Sequence, residues 1–228
     1  MPSPAARLAT ATESTACSRA ERRRVVIDLK RQMILDAAQR VFVRDGLTGA
    51  NMRAIAREAG YAASALYKYY TSKEDIYADL LTASLERLRE AVEAAALGAR
   101  DPAAAVQARA LAFFDFYMER PRDLDLGFYL FQGLNPIGLT PELDSTLNRR
   151  LGACLDGIRG AMRELGASDA QALRETTALF AHCVGILMLV HTGRIRMFRQ
   201  NGREMFKDYV DTLPARCRMC VAQGGTAG

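Results

Sequence analysis

The sequence predicts an all-α fold in two parts, an N-terminal three-helix unit with helix-turn-helix spacing and a larger C-terminal helical domain. Three observations carry this. Apolar side chains recur at helical spacing along most of the chain, and runs that alternate apolar with polar residues are few. Half of the 228 residues are hydrophobic and 25% are charged, a folded balance, and the good helix formers Ala, Leu and Arg dominate. Capping residues, Gly and Pro punctuate the periodic stretches. A chain of this length buries a sizeable core as one large or two small domains.

Residues 1–18 are small, polar and proline-spotted and read as disordered. With the basic run Arg19 to Arg24 they make an N-terminal arm, 1–24. The helix that follows carries Met33, Ile34, Ala37, Ala38, Val41 and Phe42 on one stripe, and Gly46 stops it. Asn51 caps a short second helix whose inner face is Met52, Ile55, Ala56 and Ala59. Gly60 breaks the pattern. A third short helix spans about 62–70, with Leu66 and Tyr70 inward. Ser72 caps the next, and Glu74 and Asp75 in its first turn suit the helix dipole. The first domain is therefore 25–73 and the second 74–214.

Within the second domain, Asp101-Pro102 opens a helix rich in aromatic residues that ends before Pro121. A shorter helix covers about 122–132, and 133–140 is loop. Thr140-Pro141 opens another helix that ends near Gly166. Ser168-x-x-Gln171 is a capping box for a long apolar helix to about Phe198. A last helix spans 203–213, before Pro214, and 215–228 reads as a loose tail. The stretch 179–190 is apolar on every face and must be covered by its own domain or by a partner. The uninterrupted run falls short of the roughly 20 residues a bilayer span needs, so no membrane partner is expected.

Charge is concentrated. Residues 19–73 hold 12 Lys/Arg against 5 Asp/Glu, leaving 19 basic (31 less 12) and 21 acidic (26 less 5) elsewhere. A local net of +7 suits a polyanion, although a solvated basic face has the same signature. No phosphate-cradling glycine loop, HExxH or nucleophile elbow is present. The two histidines, His182 and His191, both fall in the apolar helix. Neither an enzyme, a cofactor nor a metal site is expected. Five cysteines without framework spacing, and the lack of an apolar leader, point to a reduced cytoplasmic compartment. Cys217-x-x-Cys220 stands alone, without a second pair.

The most specific segment is 28–81. Gly46, Asn51-Met-Arg-Ala-Ile55-Ala-Arg-Glu-Ala-Gly60, then Leu66-Tyr67-Lys-Tyr-Tyr70-Thr-Ser-Lys73-Glu, resembles the DNA-binding domain of the TetR family. Departures fall on or near the reading helix. Tyr61 stands where the family usually has valine, Ala62 where it often has a small hydroxyl, and Ser64 where it often has glycine. In the family's Leu-Tyr-x-His-Phe stretch, Tyr69 replaces the histidine.

By position, the resemblance implies that Asn51 caps the second helix and offers a phosphate contact. It implies that Arg53 reads a guanine, and that Ala63, Ser64 and Ala65 face base edges. Tyr67 and Tyr69 then reach phosphates, Lys73 clamps one, and Arg22, Arg23 and Arg24 enter a minor groove or follow the backbone. The plainer alternatives are Arg53 paired with Glu58 or Asp45, structural tyrosines and an exposed Lys73.

The resemblance also implies a homodimer whose C-terminal domains dimerise and bind a small effector. Phe114, Tyr117, Phe128, Phe131 and His182 are candidates to line a pocket, or are core. The expected activity is repression at a near-palindromic operator on double-stranded DNA, released by a fairly apolar small molecule. The alternatives are an activator, or an architectural DNA-binding protein without ligand control.

Overall fold

The computed structural model describes the backbone of residues 4–127 and 140–223, and the side chains of 19, 21–127 and 140–218. Among these residues there are helices and no strand, in agreement with the all-α expectation. The chain divides into two compact units, Met1–Leu80 and Leu81–Gly228, a division a little beyond the expected boundary at 73/74.

The N-terminal unit contains α1 (Pro4–Gly49), α2 (Met52–Glu58), α3 (Ala63–Leu66) and the start of α4 (Lys73–Ala95). Ile34, Ala37, Ala38, Val41 and Phe42 of α1 are fully buried, with Ile55, Leu66 and Ile76. Phe42 meets Tyr77 edge-on, ring centroids 5.5 Å apart. Met33, expected on this stripe, lies off its edge and is 52% exposed. Helical geometry fails at Gly46, whose φ of 69° favours glycine.

The expected disordered arm over 1–24 is corrected, because α1 is helical from Pro4. Proline suits a first helical turn, and no Gly or Pro follows until Gly46. The Ala, Arg and Glu residues between them favour helix strongly, so the polar composition was misleading.

The C-terminal unit holds the rest of α4 with α5 (Pro102–Glu119), α6 (Pro121–Gly127), α7 (Pro141–Glu164), α8 (Asp169–His191), a 3-10 turn (Arg194–Phe198) and α9 (Gly202–Gln223). Helix α5 is central and packs on α7, α8 and α9. Asp101, Thr140 and Ser168 cap α5, α7 and α8 through their side-chain oxygens, as expected. Only half of the Ser168/Gln171 capping box forms. Gln171 receives the cap from Ser168, but its own amide donates across to the Arg216 carbonyl at 2.9 Å.

Two boundaries differ from expectation. Helix α8 ends at His191 rather than near Phe198, because Gly193 takes a left-handed φ of 72°. Helix α9 continues through Pro214 to Gln223 instead of stopping at Leu213. Proline costs a helix interior about 3 kcal/mol, so tertiary contacts must outweigh it. Leu213 and Cys217 are fully buried, and Arg216 reaches Glu175 at 2.6 Å and the Tyr209 hydroxyl at 2.9 Å. The tail expected to be loose from 215 is therefore packed at its start; the side chain of Cys220 lies outside the described residues.

Helix α8 is, by length and composition, long and apolar enough to cross a membrane, which the shorter run in the sequence had not suggested. It packs on α5, α7 and α9. Its uncovered face carries small residues, among them Ala170, Thr177, Ala178, Ala181 and Gly185.

Candidate nucleic-acid interface

The helix-turn-helix is built by ordinary caps. Asn51 takes an extended backbone and its side-chain oxygen accepts from the Ala54 amide at 2.9 Å. At the other end of α2 the Tyr61 amide reaches the Ala56 carbonyl at 2.8 Å, and the Gly60 amide that of Arg57 at 3.2 Å. This double closure requires a left-handed residue, and Gly60 supplies it with φ of 74°. The chain then reverses into α3.

Helix α2 buries Met52, Ala54, Ile55 and Ala56, which turns Arg53 outward. The acids that might have neutralised Arg53 are taken. Glu58 is held by Arg40 at 2.7 Å and Arg44 at 3.6 Å, and Asp45 by Arg44 at 2.8 Å. Hydrogen bonds from these arginines hold both carboxyls below the usual range. Among the described residues Arg53 has no ion pair.

Helix α3 has Ala62 at its N-cap and no side-chain cap, so no side chain occupies its leading amides. Ser64 is exposed, Ala63 and Ala65 are partly exposed, and only Leu66 of α3 is buried. Tyr67 is 56% exposed and Tyr69 is half-buried. An open cleft of about 620 Å³ runs past Asn51, Arg53, Tyr67, Thr71 and Ser72. The geometry thus brings Asn51, Arg53 and Tyr67 together, with Ser64 on the adjoining helix.

At the start of α4, Ser72 and Asp75 cap each other, their amide-to-side-chain bonds both 3.1 Å. The Thr71 hydroxyl also donates to Asp75 and is the main reason its carboxyl lies low.

Two of the expected contacts are placed otherwise. Lys73 spends its three donors on the carbonyls of Leu47, Thr48 and Ala50, so it pins the end of α1 to α4 and is not a free phosphate clamp. Arg22, Arg23 and Arg24 are exposed on a helix, not on an extended arm. A helix about 10–12 Å across is too wide to lie in a minor groove about 6 Å wide.

The expected effector-pocket residues are scattered. Phe114 is fully buried and stacks on Phe206 at 4.5 Å. Tyr117 is buried edge-on to Phe113 and Phe116, and burial pushes its hydroxyl pKa up. His182 stacks on Tyr209 at 4.2 Å, at the seam of α8 and α9. Phe128 and Phe131 lie outside the described residues. A cleft of about 180 Å³ between α7 and α8 is lined instead by Leu155, Arg159, Leu173, Thr177 and Phe180.

Residues 34–80, which span this whole motif, match the family described as bacterial regulatory proteins, tetR family. This match, with a TetR-type relative and TetR-like structures, supports a TetR-family transcriptional regulator. A curated TetR-type relative, the HTH-type transcriptional activator FasR of Mycolicibacterium smegmatis, is 29% identical over 181 residues, covering 79% of this chain and 77% of the relative. Two solved structures share the fold. The transcriptional regulator FadR from Bacillus subtilis, in complex with stearoyl-CoA, has a TM-score of 0.64 at 19% identity and covers 80% of this chain and 96% of its own. A putative tetR family regulator from Shewanella sp. PV-4 has a TM-score of 0.62 at 19% identity, covering 79% and 95%.

These findings support a DNA-binding helix-turn-helix in this chain. The sequence does not signal Arg31 and Asp79, which bond to Tyr70. Arg31 and Asp79 lie on separate helices 48 residues apart, a pairing that no local pattern signals.

Proposed function

We propose that this TetR-family protein is a cytoplasmic homodimer that represses a promoter by occupying a near-palindromic operator and releases it when a fatty acyl thioester binds its C-terminal unit. The observation that carries the DNA half is Arg53. It is a solvent-facing cation on α2 whose nearby acids are held by Arg40 and Arg44. An unpaired guanidinium suits the acceptor edge of guanine, a contact worth about 1–3 kcal/mol of discrimination. Ser64 and the methyl groups of Ala63 and Ala65 offer small contacts beside it, and Tyr67 offers a hydroxyl to phosphate.

Homodimerisation is supported by the uncovered face of α8. Its small residues, with Gly185 among them, allow a second helix to approach closely. Two reading heads then meet half-sites spaced by about one helical turn or a multiple. The effector class is supported by the FadR neighbour bound to stearoyl-CoA. Effector and DNA would oppose each other by a coupling of about 1–3 kcal/mol, equal in both directions.

A second reading, activation, is favoured by the name of the relative FasR, a transcriptional activator. Selecting random duplexes on the purified protein at two salt concentrations, then adding stearoyl-CoA, tests the proposal. An enriched palindrome that stearoyl-CoA displaces supports it. Salt-sensitive binding without enrichment overturns sequence recognition. An enriched palindrome indifferent to acyl-CoA overturns the effector half. A reporter that rises when the protein is added selects the activator.

A further inference from the structure

Three elements of the N-terminal unit meet at one oxygen. The Tyr70 hydroxyl, just past α3, donates to Asp79 Oδ2 on α4 at 2.9 Å. Arg31 Nη2 on α1 donates to the same Oδ2 at 2.7 Å. Arg31 Nε lies 3.5 Å from the Tyr70 hydroxyl, and its guanidinium carbon sits 5.2 Å from the centroid of the Tyr70 ring. Tyr70 is 4% exposed, so its ring is fixed in the core, while Arg31 and Asp79 are partly open to solvent. Burial is the main reason the hydroxyl's pKa lies above its ordinary value.

Packing alone does not require the hydroxyl. The family stretch that this segment resembles carries phenylalanine at position 70, and Leu66 already anchors α3 in the core. The hydroxyl adds direction. A ring held only by contact slides, whereas a hydrogen bond to a carboxylate fixed by an arginine has one favoured geometry. Tyr70 follows α3 directly, its amide donating to the Leu66 carbonyl at 3.1 Å. Fixing Tyr70 therefore fixes the roll of α3, and with it Ser64.

We infer that Tyr70, held by Asp79 and Arg31, is a positioning residue for base readout, setting the angle at which α3 presents Ser64 to DNA without itself touching the duplex. This rests on the DNA-recognition reading above.

The test uses full-length protein and two duplexes, one enriched from a random pool by the wild-type protein and one scrambled. Equilibrium binding is measured across salt concentrations for Tyr70→Phe, Asp79→Asn and Arg31→Gln, with a thermal melt of each. Tyr70→Phe is expected to weaken the enriched duplex about tenfold, the equivalent of about 1.4 kcal/mol, close to the yield of one hydrogen bond. Its affinity for the scrambled duplex stays within about twofold and its salt slope is unchanged, because no phosphate contact is lost. Asp79→Asn, which keeps an acceptor oxygen but loses the charge, falls between.

Full affinity and discrimination in Tyr70→Phe would overturn the inference and leave DNA recognition intact. An equal loss on both duplexes in Arg31→Gln, with a salt slope shallower by about one, would overturn it by making Arg31 a phosphate contact. A wild-type protein that enriches no sequence would remove the recognition reading and this inference with it.

Discussion

The Lys73 ammonium donates to the Leu47 carbonyl at 2.7 Å, and to those of Ala50 at 3.0 Å and Thr48 at 3.3 Å. All three carbonyls follow the break at Gly46, where the backbone of α1 leaves helical φ/ψ. Lys73 therefore satisfies orphaned carbonyls and ties the chain before α2 to the start of α4. Hydrogen bonds to charged groups are worth about 1.5–3 kcal/mol each to stability. Lys73→Met is expected to lose about 2 kcal/mol on urea unfolding while its salt slope for DNA binding matches the wild type. A slope shallower by about one, with stability unchanged, would return Lys73 to the phosphate backbone.

Gly202 opens α9 against α8. A Cβ there would overlap the side chain of Val190 and press on Ile186, 3.1 Å away. Both are β-branched side chains with little freedom to yield, and Ile186 is buried. Gly202→Ala is expected to lose about 1–3 kcal/mol through overpacking, although alanine is the better helix former. Gly152→Ala, whose added Cβ meets nothing, is the matched control and is expected to hold or gain stability. Equal melting temperatures for the two variants would contradict the close approach.

A chain ending at Leu213 lacks the second half of α9. It loses buried Cys217, the Arg216–Glu175 pair and the carbonyl that receives Gln171. The Gln171 amide, part-buried, is left without its acceptor, at about 1–3 kcal/mol. With the lost packing, the loss reaches about 2 kcal/mol or more, a fall in melting temperature of about 4–8 °C. A truncated protein that melts with the full chain would restore the reading of this segment as a loose tail.

His182 stacks on Tyr209 in the seam of α8 and α9, and burial lowers its pKa below the ordinary 6.5, with Arg216 acting in the same direction. The folded protein thus binds its proton less readily than the unfolded chain. Stability contributed by neutral His182 is present above pH 6.5 and is lost as pH falls through that value. Unfolding measured from pH 7.5 to 5.5 should show stability falling with acid, and His182→Phe should flatten that slope. An unchanged slope in the variant would assign the acid sensitivity elsewhere.

Much of this architecture was legible because its determinants are local. Asn51, Ser72, Asp101, Thr140 and Ser168 are caps whose partners lie three residues away, and the structure forms each of them. Gly46 and Gly60 stop helices by their own backbone freedom. The errors came where distant residues decide. Pro214 reads as a stop until Arg216, Tyr209 and Glu175 are seen together. Lys73 reads as an open cation until the carbonyls from residues 23 to 26 positions earlier are placed on it. Gly193 is a local stop signal masked by the apolar run before it. In the C-terminal unit the aromatic residues share one composition whether they line a cavity or fill a core. Phe114 and Tyr117 could be separated from pocket residues only by seeing their neighbours.

Whether Arg53 reads a base is decided by equilibrium binding of wild-type protein and Arg53→Ala to the enriched duplex and to its single-base variants at one salt concentration. Arg53→Ala is expected to bind the enriched duplex about 10- to 100-fold more weakly and no longer to distinguish bases at one G·C position in each half-site, while other positions keep their preferences. An Arg53→Ala protein that loses affinity evenly across all variants, or loses none, would contradict it.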